Sequence, residues 1–301
     1  MLNELSGAVA LGLLWTLMTF GVYISYRVLD IADLTVEGSL TMGAAIAAVC
    51  ISAGMNPFLA LLLSFLGGMC AGLVTGLLHT ALRIPALLSG ILTMIALWSV
   101  NLRIMGKANV SLLRVPTVFD GFVALGLSKN ISIILIGLLF VGVILSVLYW
   151  FFGTEIGCAV RATGNNARMA RAQGINTDAM KILGLVVSNG LVAVSGGLIA
   201  QSQTFADIQM GTGAIVIGLA SLIIGEVLFG KSTFLRSLFS LAFGAITYRI
   251  IIALVLKLGM PANDLKLFTA ITVAIALALP VFRQRMQARK LAREGERACS
   301  K

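Results

Sequence analysis

The chain has 301 residues, of which 59% are hydrophobic and 11% charged, with 22 Lys and Arg against 12 Asp and Glu. Soluble domains average about 45–50% apolar and about 25% charged residues, so this composition excludes a water-soluble enzyme. It excludes a disordered chain as well, because disorder requires few apolar residues. The net charge of +10 comes with no aromatic interleaving, which argues against nucleic acid and for basic residues marking the cytoplasmic face of a membrane.

Apolar runs of about 20 residues, separated by short polar stretches, predict an all-α polytopic membrane protein rather than a barrel. The expected fold has about nine transmembrane helices, at 5–27, 38–55, 57–79, 85–104, 131–152, 179–201, 210–229, 233–256 and 264–282. The second and fourth are short or interrupted. No Lys or Arg precedes Arg27, so the first run is not read as a cleaved signal. In the third span, Gly68, Gly72 and Gly76 form a small-residue stripe suited to close helix packing. His79 is the only histidine, and Cys50, Cys70, Cys158 and Cys299 show no metal or redox spacing, so no metal site is expected.

Orientation follows from Lys and Arg. The 153–178 connection carries Arg161, Arg168 and Arg171, Lys231 and Arg236 flank a later loop, and the 283–301 tail is basic throughout. All three groups fall on the cytoplasmic side if four helices separate the first from the tail. The N-terminus is then external, and so is 105–130 despite Lys107, Arg114 and Lys129. The expected organisation is a 1–282 membrane domain with a cytoplasmic tail at 283–301, in a bacterial inner membrane.

Asp33 followed by Glu37-Gly38-Ser39 and a small-residue helix is echoed by Asp207 followed by Gly211-Thr212-Gly213 and another such helix. The copies start five spans apart, and an odd offset means an inverted repeat, as in many transport folds. Two ordinary loops before two ordinary helices would look the same.

The 153–178 connection reads as a short helix between Asn165, a good N-cap, and Gly174, a good residue just past a helix end. Arg168 and Arg171 are three residues apart and share a face, while Met169, Ala170 and Ala172 offer a small apolar surface. Such a helix fits a groove in a partner protein, or lies at the lipid headgroups.

Arg161-Ala162, the polar Gly164-Asn165-Asn166, the short helix and Gly174-Ile175-Asn176-Thr177 resemble the coupling loop of permease subunits in the branched-chain amino acid and ribose group of ATP-binding-cassette importers. Ser195-Gly196-Gly197, Gly211, Gly213 and Gly225-Glu226-Val227-Leu228-Phe229-Gly230 match as well. The stretch from Leu29 to Ser39 is similar to a poorly characterised subgroup often assigned to aromatic amino acids. The amino-acid branch usually carries Asn-Phe-Ala before the Gly, which this chain lacks, so that branch's substrate is not carried over. The resemblance implies a permease that moves a small solute inward, paired with a second copy of itself. It implies a cytoplasmic ATPase dimer and an extracytoplasmic solute-binding protein as partners. Coupling would run through Arg161, Gly164, Asn165, Asn166, Arg168, Met169, Ala170, Arg171, Gly174, Ile175 and Asn176. This chain has no phosphate-binding loop, so ATP and Mg would sit on the partner ATPase, and no cofactor is expected here.

Charges inside a bilayer are costly and are candidates for function. Candidate pathway or gate residues are Asp33, Glu37, Asn189, Asp207, Glu226 and Arg249. Arg249 lies about 6 Å from mid-span at 1.5 Å per residue, where it would draw a substrate carboxylate or pair with Asp207, Asp264 or a helix carbonyl. Glu226 would gate the pathway or pair near Lys231; Asp33 and Glu37 would line the pathway if 28–38 re-enters the membrane. An ion-coupled secondary transporter would need mid-span carboxylates, and an intramembrane enzyme a facing His, Asp or Ser constellation.

Overall fold

Two long helices lie side by side in opposite directions, and the other described helices pack around them. The structure is a computed structural model. It describes residues 2–123, 126–230 and 233–257, with isolated helical positions between 267 and 278. The central pair are α1 (Leu2–Val22), extended by a π-helical turn over Tyr23–Val28, and α9 (Thr177–Gln203). Each is 83% buried along its apolar window. Ser195 donates to the Leu14 carbonyl at 2.8 Å, and Ser188 donates to the Gly21 carbonyl at 2.7 Å. Residue numbers rise on one helix as they fall on the other, so the two are antiparallel.

Each central helix gathers a pair. Helices α2 (Thr35–Ser52) and α3 (Pro57–Thr80) pack on α9. Helices α10 (Ala214–Phe229) and α11 (Phe234–Lys257) pack on α1. The Gly68, Gly72 and Gly76 stripe is now placed: a Cβ on Gly68 or Gly72 would overlap the α9 carbonyls of Asn189 and Leu185. Backbone contact of this kind lets helices approach closely in lipid, where hydrophobic burial between them gives little. On the other side, Gly12 of α1 backs onto Ile246 of α11. The units α1–α3 and α9–α11 thus have the same internal order and opposite directions.

The helices α4 (Ala86–Met105) and α6 (Lys129–Gly153) lie outside, with only 28% and 33% of their windows buried. Between them come the strand β1 (Asn109–Ser111) and the short α5 (Asp120–Val123). β1 pairs antiparallel with β2 (Phe205–Asp207), in register Asn109↔Asp207. This places 105–123 beside the C-terminal end of α9. The 153–178 connection joins the N-terminal end of α9, so the two lie at opposite ends, as the positive-inside argument required. They are called here the far end and the loop end.

Among the described residues, seven helices are long and apolar enough to cross a membrane, so the count of nine is not reached. Residues 208–213 form turns, which reduces the expected 210–229 span to the 16 residues of α10. At 1.5 Å per residue that is about 24 Å, short of a hydrocarbon layer of about 30 Å. The expected 264–282 span and the 283–301 tail lie outside the described residues. The second span begins three residues earlier than the sequence indicated, at Thr35, because Asp33 accepts from the Thr35 amide at 2.9 Å and starts the helix there.

Candidate functional site

The loop end presents α7 (Glu155–Asn165) and α8 (Ala167–Ala172). The N-cap of α8 is Asn166 rather than Asn165: its side chain accepts from the Met169 amide at 3.0 Å, while Asn165 is the last residue of α7. Gly174 closes the other end at φ +82°, a left-handed conformation that costs most residues energy and glycine little. Asn176 then caps α9 by accepting from Ala179 at 3.1 Å. Arg171 does not stand free beside Arg168. Its Nε donates to Thr177 at 2.9 Å and its guanidinium pairs with Asp178 at 3.2 Å, tying α8 to α9. Ala170 is buried beneath, and Ile175 bonds back to its carbonyl. Arg168 and Met169 remain outward, Met169 being 62% exposed.

Behind α8, the loop is backed by the bundle. A Cβ on Gly164 would overlap the Val28 carbonyl, so α7 rests directly on the end of the π-helical turn. Arg161 stacks over Phe234 of α11 at 5.5 Å. A polar cavity of about 490 Å³ opens here, lined by Tyr26, Arg27, Asp30, Arg161, Asn165 and Glu226 among others. Glu226 reaches Arg27 at 3.1 Å, linking α10 to the end of α1; the pairing expected near Lys231 lies outside the described residues. Sequence reasoning missed this partner, although Arg27 was visible as the first basic residue of the chain.

Midway along α9, the segment after α1 turns back into the bundle and α2 starts there. Asp33, 2% exposed, accepts from Asn189 at 2.7 Å; Asn189 accepts from Ser39 at 2.6 Å; and the Thr35 and Thr75 hydroxyls meet at 2.7 Å. Asp33 and Asn189 are thus tied to each other in a closed knot. Glu37, one turn further along α2, accepts from the Gly213 amide at 3.0 Å, so α10 starts against the first turn of α2. One helix leaves this level for the far end and the other for the loop end. A second cavity, of about 360 Å³, opens from here toward the far end between α2, α4 and residues 208–212.

The other two candidates sit apart. Asp207 is held in the far-end turn, accepting from Asn109 at 3.2 Å and from the Gln209 amide at 2.8 Å. Arg249 lies over the Trp15 ring at 4.2 Å, a cation–π contact, and pairs with neither Asp207 nor a helix carbonyl among the described residues. Asp264 is outside them. His79 bonds the Ile84 carbonyl and Lys181, and no group of His, Cys, Asp or Glu among the described residues could hold a metal.

The family described as branched-chain amino acid transport system / permease component matches residues 5–278. The chain is 44% identical over 266 residues to a tyrosine transport system permease protein of Clostridioides difficile (strain R20291), covering 88% of each. It is 30% identical over 196 residues to an autoinducer 2 import system permease protein of Photorhabdus luminescens, covering 65% of this chain and 57% of that one. The fold is similar to PsaBC from Streptococcus pneumoniae, solved in complex with Fab, with TM-score 0.50, 18% identity and 91% and 90% of the two chains covered. With the family matched along nearly its whole length, the chain belongs to the permease component of branched-chain amino acid transport systems, and is the permease of an ATP-binding-cassette import system.

Proposed function

We propose that this permease carries an aromatic amino acid inward and is driven through α8 by a partner ATPase dimer. The observation behind the drive is the mounting of α8. It is an exposed helix with capped ends, tied to α9 through Arg171 and backed by α7, which rests on Val28 at Gly164. A push on α8 therefore reaches the π-helical turn and, beyond it, the start of α2. Coupling needs a two-state element that the partner biases; the broken helices α2 and α10, which meet at Glu37 and Gly213, supply the joint that such a switch requires. The aromatic cargo is supported by the 44% identity to the tyrosine permease.

In this reading the loop end is cytoplasmic and the N-terminus external. A second copy of the chain completes the pore, and an external binding protein delivers the solute. ATP and Mg stay on the ATPase. The test is uptake of labelled tyrosine by proteoliposomes holding the permease, its ATPase and its binding protein. Arg171→Ala and Gly174→Val should cut uptake at least tenfold and abolish stimulation of ATP hydrolysis by the loaded binding protein, with membrane insertion intact. Normal stimulation in both variants would overturn the role of α8.

A further inference from the structure

The far-end cavity has an unusual chemical bias. Its polar lining is Glu37, Thr41, Ser99, Asn101 and Thr212, with Trp98 on the wall, and among the described residues no Lys or Arg faces it. Glu37 uses one carboxyl oxygen to accept from Gly213, and the other has no partner among the described residues. Asn101 is 1% exposed, and its Nδ2 donates to the Gly38 carbonyl at 3.1 Å. That bond fixes which way the amide points, since only the nitrogen can face a carbonyl. Its Oδ1 is then left buried with no donor. A buried acceptor without a donor is costly and calls for an explanation. The cavity therefore holds one open acceptor, the second carboxyl oxygen of Glu37, while the unfilled amide oxygen of Asn101 is sealed within its wall.

We propose that this cavity is a binding site for the ammonium group of the cargo, with Glu37 as its acceptor and Trp98 beside the cargo's side chain. An ammonium has three donors and one positive charge, which answers the open Glu37 oxygen and the lack of any lining cation. A carboxylate meets the like charge of Glu37 there, with only the neutral hydroxyls of Ser99 and Thr212 and the Trp98 indole N–H as donors. Thr41 cannot offset this, because its hydroxyl donates to the Glu37 carbonyl at 3.1 Å. The site rests on the reading of the cargo as an amino acid, and it assigns which end of that molecule the permease grips. Its place is also apt: it adjoins the Glu37–Gly213 joint between the broken helices, so an occupant bears directly on that joint.

The test uses the full chain in nanodiscs, with Cys50, Cys70, Cys158 and Cys299 replaced by Ser and with Thr212→Cys in the cavity wall. A cationic thiosulfonate reagent should modify Cys at this position about tenfold faster than an anionic one, as expected for one nearby carboxylate in a medium of intermediate dielectric. Phenethylamine should slow the modification at least threefold, and 3-phenylpropionate should not. Adding Glu37→Gln should remove both the charge preference and the protection. Gln keeps an oxygen for the Gly213 amide, so this variant preserves the helix start. Equal rates for the two reagents, equal protection by 3-phenylpropionate, or protection that survives Glu37→Gln would each overturn the site. Tyrosine uptake, measured in parallel, separates the two readings. Protection without uptake refutes the cargo and leaves the ammonium site standing, while uptake without protection refutes the site alone.

Discussion

Asn189→Ala should cost far more than any other single polar change in the central helices. The side chain makes three bonds: Nδ2 to Asp33 at 2.7 Å and to the Leu185 carbonyl at 3.0 Å, and Oδ1 from Ser39 at 2.6 Å. A hydrogen bond to a carboxyl group contributes about 1.5–3 kcal/mol and a neutral one about 1 kcal/mol. Truncation also leaves Asp33 with Thr35 as its remaining partner, at a depth water does not reach. The expected loss is about 3–4 kcal/mol, against about 0.6 kcal/mol for Ser195→Ala, which removes one hydroxyl from a helix carbonyl. The assay is equilibrium unfolding in mixed detergent micelles, followed by circular dichroism, in a double-mutant cycle with Asp33→Ala. Because the two side chains share one network, the cycle should show a coupling of about 1.5 kcal/mol or more. If Asn189→Ala costs no more than Ser195→Ala, or the two changes simply add, the knot does not hold the start of α2.

Two further outcomes follow from the packing. Gly43→Val should destabilise the fold by about 1–3 kcal/mol in the same assay, because a Cβ there overlaps the Ala193 carbonyl; Gly142→Val, whose Cβ meets nothing within 4 Å, should stay within about 0.5 kcal/mol of the parent. Equal effects would refute close approach of α2 to α9. Arg27→Glu should lower tyrosine uptake at least fivefold by setting two carboxylates against each other at the 3.1 Å pair, and the reversed pair Arg27→Glu with Glu226→Arg should recover most of it. No recovery would show that the two side chains do not act as a pair.

Much of the site could be read along the chain, because its signals are local. The ends of α8 are set locally, by the Asn166 side chain acting three residues on and by the left-handed backbone of Gly174, and the N-cap lies one residue from where the sequence indicates it. Arg27 with Glu226, and Asn189 with Asp33, join positions far apart in sequence, and nothing near either member names its partner. Asn101 carried a usable signal, a lone amide in an apolar run, but only its neighbours reveal that one of its atoms is unfilled. The short α10 was overcounted because apolar content says nothing about where a helix starts; the turns of 208–213 decide that.

The sequence by itself determined that the chain is a bundle of membrane helices and that the 105–123 and 153–178 connections lie at opposite ends. Composition, apolar run length and the placement of Lys and Arg act additively along the chain, so no contact map is needed to read them. The tertiary structure alone decided which helices pair, where α2 and α10 begin inside the bundle, and which polar groups are sealed or left open. Those outcomes depend on glycine faces meeting particular carbonyls and on hydrogen bonds between distant segments. In lipid such contacts, rather than apolar burial, choose the arrangement.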